Sequence, residues 1–227
     1  MFELMLDTAN LAEIEAGLRL WPVAGVTTNP SILKKEGKVN LYEHLRIIGE
    51  LCGKERSLHV QTVSENADGI IREAHAILDK LGNDTYIKIP VSSEGLPAIK
   101  TLAAEGIKVT ATAIYSTMQG ILAVLAGAKY IAVYFNRMEN NCSDPVSAIR
   151  EIRDFIDGSG SDAKIVAASF KNIAQVTAAF AAGAHSATVG VDIIQNALSM
   201  ASIDAAVLAF KKDFESVYGP GSSMLTV

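Results

Sequence analysis

The sequence has few cysteines, and their scarcity excludes a disulfide scaffold as the basis of the fold. Only Cys52 and Cys142 are present among 227 residues, far apart and without a Cys-x-x-Cys pattern. Small secreted domains use dense disulfides, and structural zinc sites use closely spaced ligand pairs. Neither class fits, so we expect a reduced, cytosolic protein that folds around a hydrophobic core.

The sequence also lacks an excess of positive charge. Its formal net charge is −5, which provides no basic surface for nucleic acid or an anionic membrane. The N-terminal MFELMLD has no basic region and reaches Asp7 at once, unlike a signal peptide. The most apolar segment, 121–135, holds Gly127 and Lys129 at its centre and is interpreted as helix, turn and strand rather than a membrane span. We expect a cytoplasmic protein with no nucleic-acid or membrane partner.

No linker rich in proline, glycine or serine divides the chain. Short β-rich segments are predicted at 2–6, 23–27, 57–63, 85–89, 107–113, 130–135, 164–169 and 185–190. Helical segments are predicted between and after them, at 10–20, 40–52, 64–81, 94–105, 116–127, 144–157, 171–182 and 192–215. Such alternation requires parallel strands with helical crossovers.

Eight strand–helix units are the number that closes a (β/α)8 barrel. The alternative, an open doubly wound sheet, carries a glycine-rich loop after its first strand, where this chain has DTANLAE. We therefore predict an α/β fold, a single-domain (β/α)8 TIM barrel over 1–217. A tail at 218–227, YGPGSSMLTV, follows the last helix and is either loose or packed on a neighbouring subunit.

Polar residues fall at the predicted C-terminal ends of several strands. Side chains alternate between the interior and the outside of a barrel, and active sites lie at the C-terminal ends of the strands. This alternation predicts inward-facing polar side chains on five strands: Asp7, Gln61, Lys88, Thr112 and Tyr134. Thr27 and Asn29 end the second strand, Arg137 follows the sixth, and Ser169 and Lys171 follow the seventh.

The lysine inside TYIKIPV, residues 85–91, is the least expected of these residues. Burial disfavours the ammonium form and lowers a lysine pKa. A neutral amine condenses with a ketone to give an iminium ion, which withdraws electrons from the adjacent carbon–carbon bond. This chemistry requires no metal or other cofactor. It requires a proton shuttle, for which Asp7, Tyr134, or a water held by Gln61 and Thr112 are candidates.

A phosphate anchor is also available near the same end of the barrel. Arg137 offers bidentate hydrogen bonds to phosphate oxygens. Ser169 and Lys171 lie in the loop after the seventh strand, one of the two loops that form phosphate sites in such barrels.

Four of these residues also have a simpler interpretation. A lone strand lysine is often half-exposed or paired with an acid such as Asp7. Asn29 before Pro30 fits a helix cap, Tyr134 fits a core position, and Arg137 fits a surface ion pair. The functional hypothesis depends on their falling together at one end of the barrel.

Six segments, in this order, carry a resemblance to a known family: LDTAN, AGVTTNPSIL, IKIPVSSEGL, ATAIYS, NRM and AASFK. With them, nearly the whole chain resembles the small transaldolase family, particularly its fructose-6-phosphate aldolase branch. The resemblance implies a (β/α)8 barrel and a class I mechanism, in which Lys88 forms a Schiff base with the ketose carbonyl.

The resemblance also implies roles for other positions. It implies that Asp7 is the acid/base that acts on the C4 hydroxyl of the substrate. It also implies that Asn29 and Ser169 bind hydroxyls of the dihydroxyacetone unit. Arg137 would bind the phosphate of the glyceraldehyde 3-phosphate part. The remaining candidates are Thr112 and Gln61, which would position a catalytic water, and Thr27 and Lys171, which are further substrate-binding candidates.

Two residues bear on the reaction type. Transaldolases proper tend to have glutamate and phenylalanine where this chain has Gln61 and Tyr134, whereas the aldolase branch has glutamine and tyrosine. A phenol at Tyr134 can protonate the enamine left on the lysine, so that hydrolysis releases free dihydroxyacetone. We therefore expect an aldehyde-lyase that cleaves D-fructose 6-phosphate into dihydroxyacetone and D-glyceraldehyde 3-phosphate. A transaldolase of the pentose phosphate pathway is the alternative, and a non-catalytic sugar-phosphate-binding barrel with a Lys88–Asp7 ion pair is a third hypothesis.

The sequence departs from the family after Arg137, where MENNCSDP (138–145) replaces a stretch expected to be richer in glycine. The family forms pentamers and pairs of pentamers in which the last helix reaches a neighbour. A homo-oligomer, a pentamer or decamer, is therefore expected, and the amphipathic pattern at 203–214 is compatible with it.

Overall fold

The computed structural model describes residues 2–227 and shows eight parallel strands closed into a barrel. The strands are β1 Glu3–Asp7, β2 Val23–Thr27, β3 Ser57–Gln61, β4 Tyr86–Pro90, β5 Val109–Ile114, β6 Tyr130–Val133, β7 Lys164–Ala167 and β8 Ser186–Val189. Each strand pairs with the next along the chain, and β8 pairs with β1. The predicted (β/α)8 TIM barrel is confirmed.

Helices connect the strands on the outside of this sheet. They are α1 Leu11–Leu20, α2 Pro30–Leu33, α3 Leu41–Cys52, α4 Ala67–Leu81, α5 Gly95–Ala104, α6 Thr117–Leu125, α7 Phe135–Asn140, α8 Pro145–Ser159 and α9 Ile173–Ala181. A short 3-10 helix, Lys34–Glu36, follows α2. Because every crossover is helical, all eight C-terminal strand ends open at the same end of the barrel.

Local sequence signals fix where many helices begin and end. Side-chain oxygens of Asn10, Asn29, Asn40, Asn66, Ser116, Asp144 and Asn172 accept a backbone N–H in the first turn of the helix that follows, as N-caps do. Gly106, Gly127 and Gly183, which follow α5, α6 and α9, have φ angles of 80°, 92° and 106°. Glycine adopts this left-handed region without the steric cost of a Cβ.

The barrel interior and its outer shell use opposite faces of each strand. Leu6, Ile87 and Ile131 are fully buried and, by alternation, face the helices. Inside the barrel, Met5 and Tyr130 pack with Ala132 and Val166. Because Met5 faces inward, Glu3 and Asp7, two residues away on either side, also face inward at opposite ends of β1.

Two predicted elements differ from the observed ones. The sixth strand, expected to reach residue 135, ends at Val133, and Phe135 begins α7. The helix predicted over 192–215 is two helices, α10 Val191–Leu198 and α11 Ala201–Tyr218. Both errors lie within apolar segments, where hydrophobic periodicity does not indicate where one element gives way to the next.

Residues Asp192–Val227 form a second compact unit, and the unit that holds the barrel ends at Val191. No residue of α11 is buried, and its exposed side chains include Val207, Leu208 and Phe210. Within residues 2–227 no single helix has the length and apolarity to cross a membrane, although α10 and α11 together, bent at their junction, meet these criteria by length and composition. The predicted division into a barrel over 1–217 and a tail over 218–227 stays a prediction.

Candidate active site

Lys88 lies on β4 with its side chain buried inside the barrel. The residue is 4% exposed, and its Nζ donates a hydrogen bond to the backbone carbonyl oxygen of Thr28 at 2.9 Å. Among residues 2–227, no carboxylate forms an ion pair with this nitrogen within 4.0 Å. Burial lowers the pKa of Lys88, and the negative charge of Asp7 opposes this shift. The Lys88 amine therefore lacks the direct carboxylate partner that would stabilise its ammonium form.

A glycine allows β4 to approach the following helix closely. A Cβ on Gly95, the first residue of α5, would lie 1.9 Å from the backbone oxygen of Pro90. Its backbone N–H donates to the Ser92 hydroxyl at 2.9 Å, which closes the turn between strand and helix. The glycine of the IKIPVSSEGL segment therefore fixes the end of the strand that carries Lys88.

Asp7 ends β1, and its carboxyl group is held by the Thr27 hydroxyl rather than by a cation. Thr27 Oγ1 donates to Asp7 Oδ1 at 2.7 Å and lies 2.6 Å from Thr188 Oγ1. Burial raises the pKa of Asp7, against the opposing positive charge of Lys88. The raised pKa makes this carboxylate a better proton acceptor than an ordinary exposed aspartate.

Thr112 and Tyr134 form a second polar pair in the cavity. Thr112 Oγ1 donates to the Tyr134 hydroxyl oxygen at 3.0 Å, which leaves the phenolic proton available to another acceptor. Burial raises the pKa of Tyr134, so the phenol is protonated at neutral pH. A β-bulge adjoins this pair: the pairing of β5 with β6 shifts between Ala111 and Ile114, and Ala113 has φ 56°. Bulges commonly redirect side chains next to active sites.

The segments that follow three of the strands contribute three further side chains. Asn29 caps α2 by accepting from Ile32 N–H at 3.0 Å. Ser169, after β7, has φ 63°, an uncommon conformation for a residue other than glycine. The guanidinium of Arg137, on α7, lies 4.9 Å from the centre of the Tyr134 ring.

These side chains line one cavity of about 100 Å³. Eight of the predicted site residues are among its lining: Asp7, Thr27, Asn29, Lys88, Thr112, Tyr134, Arg137 and Ser169. The remaining lining residues are Thr110, Ala132, Val166, Ala168 and Thr188. The structure therefore brings most of the predicted residues together.

Two predicted residues are not among the lining of this cavity. Gln61 borders a neighbouring cavity with Pro30 and Pro90, and its Oε1 is buried without a hydrogen-bond partner among residues 2–227. Lys171 is exposed, and its backbone N–H donates to Gln175. The roles proposed for Gln61 and Lys171 stay predictions.

His59, on β3, is a buried residue packed inside the barrel. Its Nδ1 lies 2.8 Å from Thr110 Oγ1 and its Nε2 lies 2.9 Å from Ser57 Oγ. The ring stacks on Tyr86 at a centroid distance of 4.6 Å. Burial lowers the pKa of His59 to about 3, and the charge of Lys88 acts in the same direction, so the imidazole is neutral. Among residues 2–227, no group of three or more His, Cys, Asp or Glu side chains is arranged to hold a metal ion.

The sequence prediction missed three groups at the site. Thr28 contributes a backbone carbonyl, which no side-chain pattern reveals. Thr188 follows the inward alternation of β8 with Ser186, a signal that was present but unused. Tyr115, whose hydroxyl accepts from Arg137 Nη1 at 3.2 Å, lies in a loop where strand alternation does not apply.

Fold and site together define a (β/α)8-barrel enzyme with a buried amine, a buried carboxyl group and a phenol in one cavity. Residues 4–220 match the family model described as Transaldolase/Fructose-6-phosphate aldolase, and the chain belongs to this family, as its sequence segments predicted. It is similar to a probable fructose-6-phosphate aldolase of Streptococcus pneumoniae (strain ATCC 700669 / Spain 23F-1), with 50% identity over 212 residues, which are 93% of this chain and 96% of the relative. The chain is an enzyme of the aldolase and transaldolase family, which fits a role in carbohydrate metabolism.

Proposed function

We propose that this protein is a class I aldolase that reversibly cleaves D-fructose 6-phosphate into dihydroxyacetone and D-glyceraldehyde 3-phosphate. The observation that carries the proposal is the state of Lys88. Its amine is buried, its pKa is lowered, and it is held by a neutral carbonyl at 2.9 Å instead of by a carboxylate. A neutral amine in such a cavity is a nucleophile for the ketose carbonyl.

In the first step Lys88 Nζ attacks C2 of the ketose. A C–N bond forms, the carbinolamine hydroxyl takes up one proton from solvent and leaves as water as the C2–O bond breaks, and a protonated Schiff base remains. The water is held between Thr112 and Gln61, whose buried Oε1 lacks a partner within residues 2–227. Buried amide oxygens require a hydrogen-bond donor, and water supplies one where the protein does not.

In the second step Asp7 accepts the proton of the C4 hydroxyl. The C3–C4 bond breaks, its electron pair moves toward the iminium nitrogen to form an enamine, and glyceraldehyde 3-phosphate leaves. The raised pKa of Asp7 matches this role, because a general base works best when its pKa lies near the operating pH.

In the third step the enamine is protonated at C3 and hydrolysed. Tyr134 supplies this proton, directly or through the water, since its hydroxyl oxygen accepts from Thr112 and its own proton is free to be donated. Water then attacks C2, the C–N bond breaks, dihydroxyacetone is released and the neutral amine is regenerated. The proton taken up in the first step returns to solvent, and the C4 hydroxyl proton held by Asp7 restores Tyr134 by way of the water. Protonation makes the reaction a cleavage rather than a transfer.

The rest of the substrate is held along the cavity. Asn29, Thr27 and Ser169 face the hydroxyls of the dihydroxyacetone unit, and Arg137 binds the phosphate. Arg137 is the cationic side chain that lines the cavity besides Lys88, and guanidinium groups bind phosphate bidentately. Lys171, on the loop after β7, adds positive charge near the same end.

The Schiff base is tested by borohydride reduction in the presence of dihydroxyacetone or fructose 6-phosphate. We expect the protein mass to rise by one reduced adduct, located at Lys88 by peptide mapping. A mass that stays constant, or an adduct at another lysine, contradicts the proposal and leaves the protein a sugar-phosphate-binding barrel at most.

The reaction type is tested by following glyceraldehyde 3-phosphate release from fructose 6-phosphate with and without erythrose 4-phosphate. An aldolase releases the product without the acceptor. Release that requires erythrose 4-phosphate would instead identify a transaldolase, which moves the same three-carbon unit between sugar phosphates.

We further propose that the enzyme works in the cytoplasm as a homo-oligomer, a pentamer or decamer. The exposed apolar side chains of α11, which include Val207, Leu208 and Phe210, support an interface with a copy of the chain. Light scattering coupled to size-exclusion chromatography gives the mass directly. A monomeric mass at micromolar concentration contradicts this assembly.

A further inference from the structure

A second cavity lies next to the lysine cavity and shares one residue with it. Tyr115, Arg137, Asn140 and Asn141 line this space of about 310 Å³. Arg137 lines both cavities. A ligand whose reacting carbonyl lies at Lys88 and whose far end reaches past Arg137 therefore enters the second cavity.

The charge of Arg137 is not neutralised by the protein. Within residues 2–227 the guanidinium has no carboxylate within 4.0 Å, and its one hydrogen bond to a described residue is from Nη1 to the Tyr115 hydroxyl oxygen at 3.2 Å. A guanidinium carries five N–H donors, so most of them have no acceptor among residues 2–227. An anion is the ligand that this arrangement favours.

Tyr115 adds a donor beside that guanidinium. Because its hydroxyl oxygen accepts from Arg137, the hydroxyl proton points away from the guanidinium and has no acceptor among residues 2–227. The Tyr115 ring also packs edge-to-face against Tyr134, with centroids 5.6 Å apart and planes at 74°. The ring position of Tyr115 is therefore fixed by its neighbours, and the hydroxyl is presented beside Arg137.

Two asparagines border the other side of the cavity. Asn140 ends α7 and Asn141 follows it, in the MENNCSDP segment that departs from the family pattern. The side-chain amides of both residues make no hydrogen bond to any residue of the described 2–227 chain. Amide N–H groups are neutral donors, suited to the outer oxygens of a phosphate.

We infer that Tyr115, with Asn140 and Asn141, selects phosphorylated over unphosphorylated substrates by donating hydrogen bonds to the phosphate that Arg137 binds. This inference rests on the proposed function and assigns a specificity-determining role to Tyr115. The hydroxyl contributes through binding of the phosphate end, so its loss should raise KM and leave kcat nearly unchanged.

The test compares two aldehydes in the direction of synthesis, each with dihydroxyacetone: D-glyceraldehyde 3-phosphate and D-glyceraldehyde. In Tyr115→Phe we expect the ratio of their kcat/KM values to fall roughly tenfold, the size expected for one hydrogen bond to a charged group. Asn140→Ala/Asn141→Ala should lower the same ratio less. Tyr42→Phe, which alters a half-buried tyrosine on α3 without a described hydrogen bond, is the matched control and should leave the ratio unchanged.

An unchanged ratio in Tyr115→Phe overturns the inference. So does an equal loss with both aldehydes, because it would mean that Tyr115 only supports the Tyr134 ring. Calorimetric titration with inorganic phosphate makes the inference testable even if the proposed reaction fails. We expect weak binding of phosphate to the wild type and about tenfold weaker binding to Tyr115→Phe. The proposed aldolase reaction is tested separately, by the borohydride experiment. Phosphate binding that is absent from the wild type, or equal in the two proteins, contradicts the role of Tyr115.

Discussion

The two ends of the barrel use the same residue types in opposite ways. At the N-terminal end Lys164 pairs with Glu3, Glu3 also accepts from the Tyr130 hydroxyl at 2.8 Å, and Lys108 pairs with Asp84 at 2.7 Å. At the C-terminal end a lysine, a carboxyl group and a tyrosine are again present, as Lys88, Asp7 and Tyr134, but the lysine and the carboxyl group form no direct ion pair.

The difference shows what makes a polar cluster reactive. A lysine paired with a carboxylate stays charged, and its Coulomb attraction raises its pKa. Lys88 loses that partner because Asp7 is held by Thr27, while the Lys88 amine lies against the carbonyl of Thr28. Two neutral groups thus keep an acid and a base separate inside one cavity.

The largest effect is expected from the two lysines. Lys88→Met should lower aldol cleavage by roughly 10⁴-fold or more and abolish borohydride trapping, since the covalent nucleophile is lost. Lys164→Met, at the other end, should retain trapping and kcat while lowering stability. Initial rates and the mass of the reduced adduct are measured for both variants. Equal losses of activity would contradict the assignment of a catalytic role to Lys88 and a structural role to Lys164.

The next largest effect is expected from the two inward-facing carboxyl groups of β1, Asp7 and Glu3. Asp7→Asn should lower kcat for cleavage on the order of 10³-fold, because the acceptor for the C4 hydroxyl proton is lost, yet dihydroxyacetone should still be trapped at Lys88. Glu3→Gln should leave kcat/KM unchanged. Steady-state kinetics with fructose 6-phosphate check both, and loss of trapping in Asp7→Asn would show that its role is structural.

A smaller effect is expected from the tyrosines. Tyr134→Phe should lower cleavage on the order of 10²-fold while sparing transfer to erythrose 4-phosphate, since only cleavage needs the enamine proton. Tyr130→Phe removes the hydroxyl that donates a hydrogen bond to Glu3. It should change stability without changing the ratio of the cleavage rate to the transfer rate. The two reactions are followed in parallel, and equal losses of cleavage and transfer in Tyr134→Phe would argue against the proton-donor role.

The smallest effect concerns stability against pH and involves His59, which lies between the two ends. Its pKa is about 3 in the folded protein and about 6.5 in an unfolded chain. Between these values the unfolded state binds more protons, so stability falls as the pH falls through this window. From pH 7 to pH 5 this histidine should remove about 2 kcal/mol of unfolding free energy.

His59→Gln should flatten that part of the pH profile by the same amount, as measured by urea denaturation at several pH values. His75→Gln removes an exposed histidine paired with Glu105 and serves as the control, with the slope expected to persist. A wild-type slope that survives in His59→Gln would assign the acid sensitivity to other groups.

Strand alternation was enough to place the groups that lie on regular strands. The inward positions of Asp7, Lys88 and Thr112 follow from a period of two, and the barrel follows from the eight-fold alternation of strands and helices. Arg137 and Ser169 were candidates for binding a phosphate from their chemistry and their place after the sixth and seventh strands. The role of Asn29, and that of Ser169 at a hydroxyl, came from the resemblance, since loop geometry such as the left-handed backbone of Ser169 has no simple sequence signature.

Other features could not be predicted because they depend on contacts between distant parts of the chain. The Thr27–Thr188 hydrogen bond joins residues 161 positions apart, and the contact of Lys88 with Thr28 uses the backbone of another strand–helix connection. The end of β6 at Val133 is set by pairing, which apolar composition alone does not reveal. Such long-range pairs appear only when the barrel closes.

The carbonyl that holds the Lys88 amine at rest has a chemical consequence beyond the sugar reaction. An amine tethered only by a dipole can be captured by any small electrophile that enters the cavity, including the isocyanic acid present in aged urea solutions. Folded protein kept in such urea, below the concentration that unfolds it, should therefore be carbamoylated and inactivated at this position, while surface lysines held as ammonium ions by carboxylates are modified more slowly.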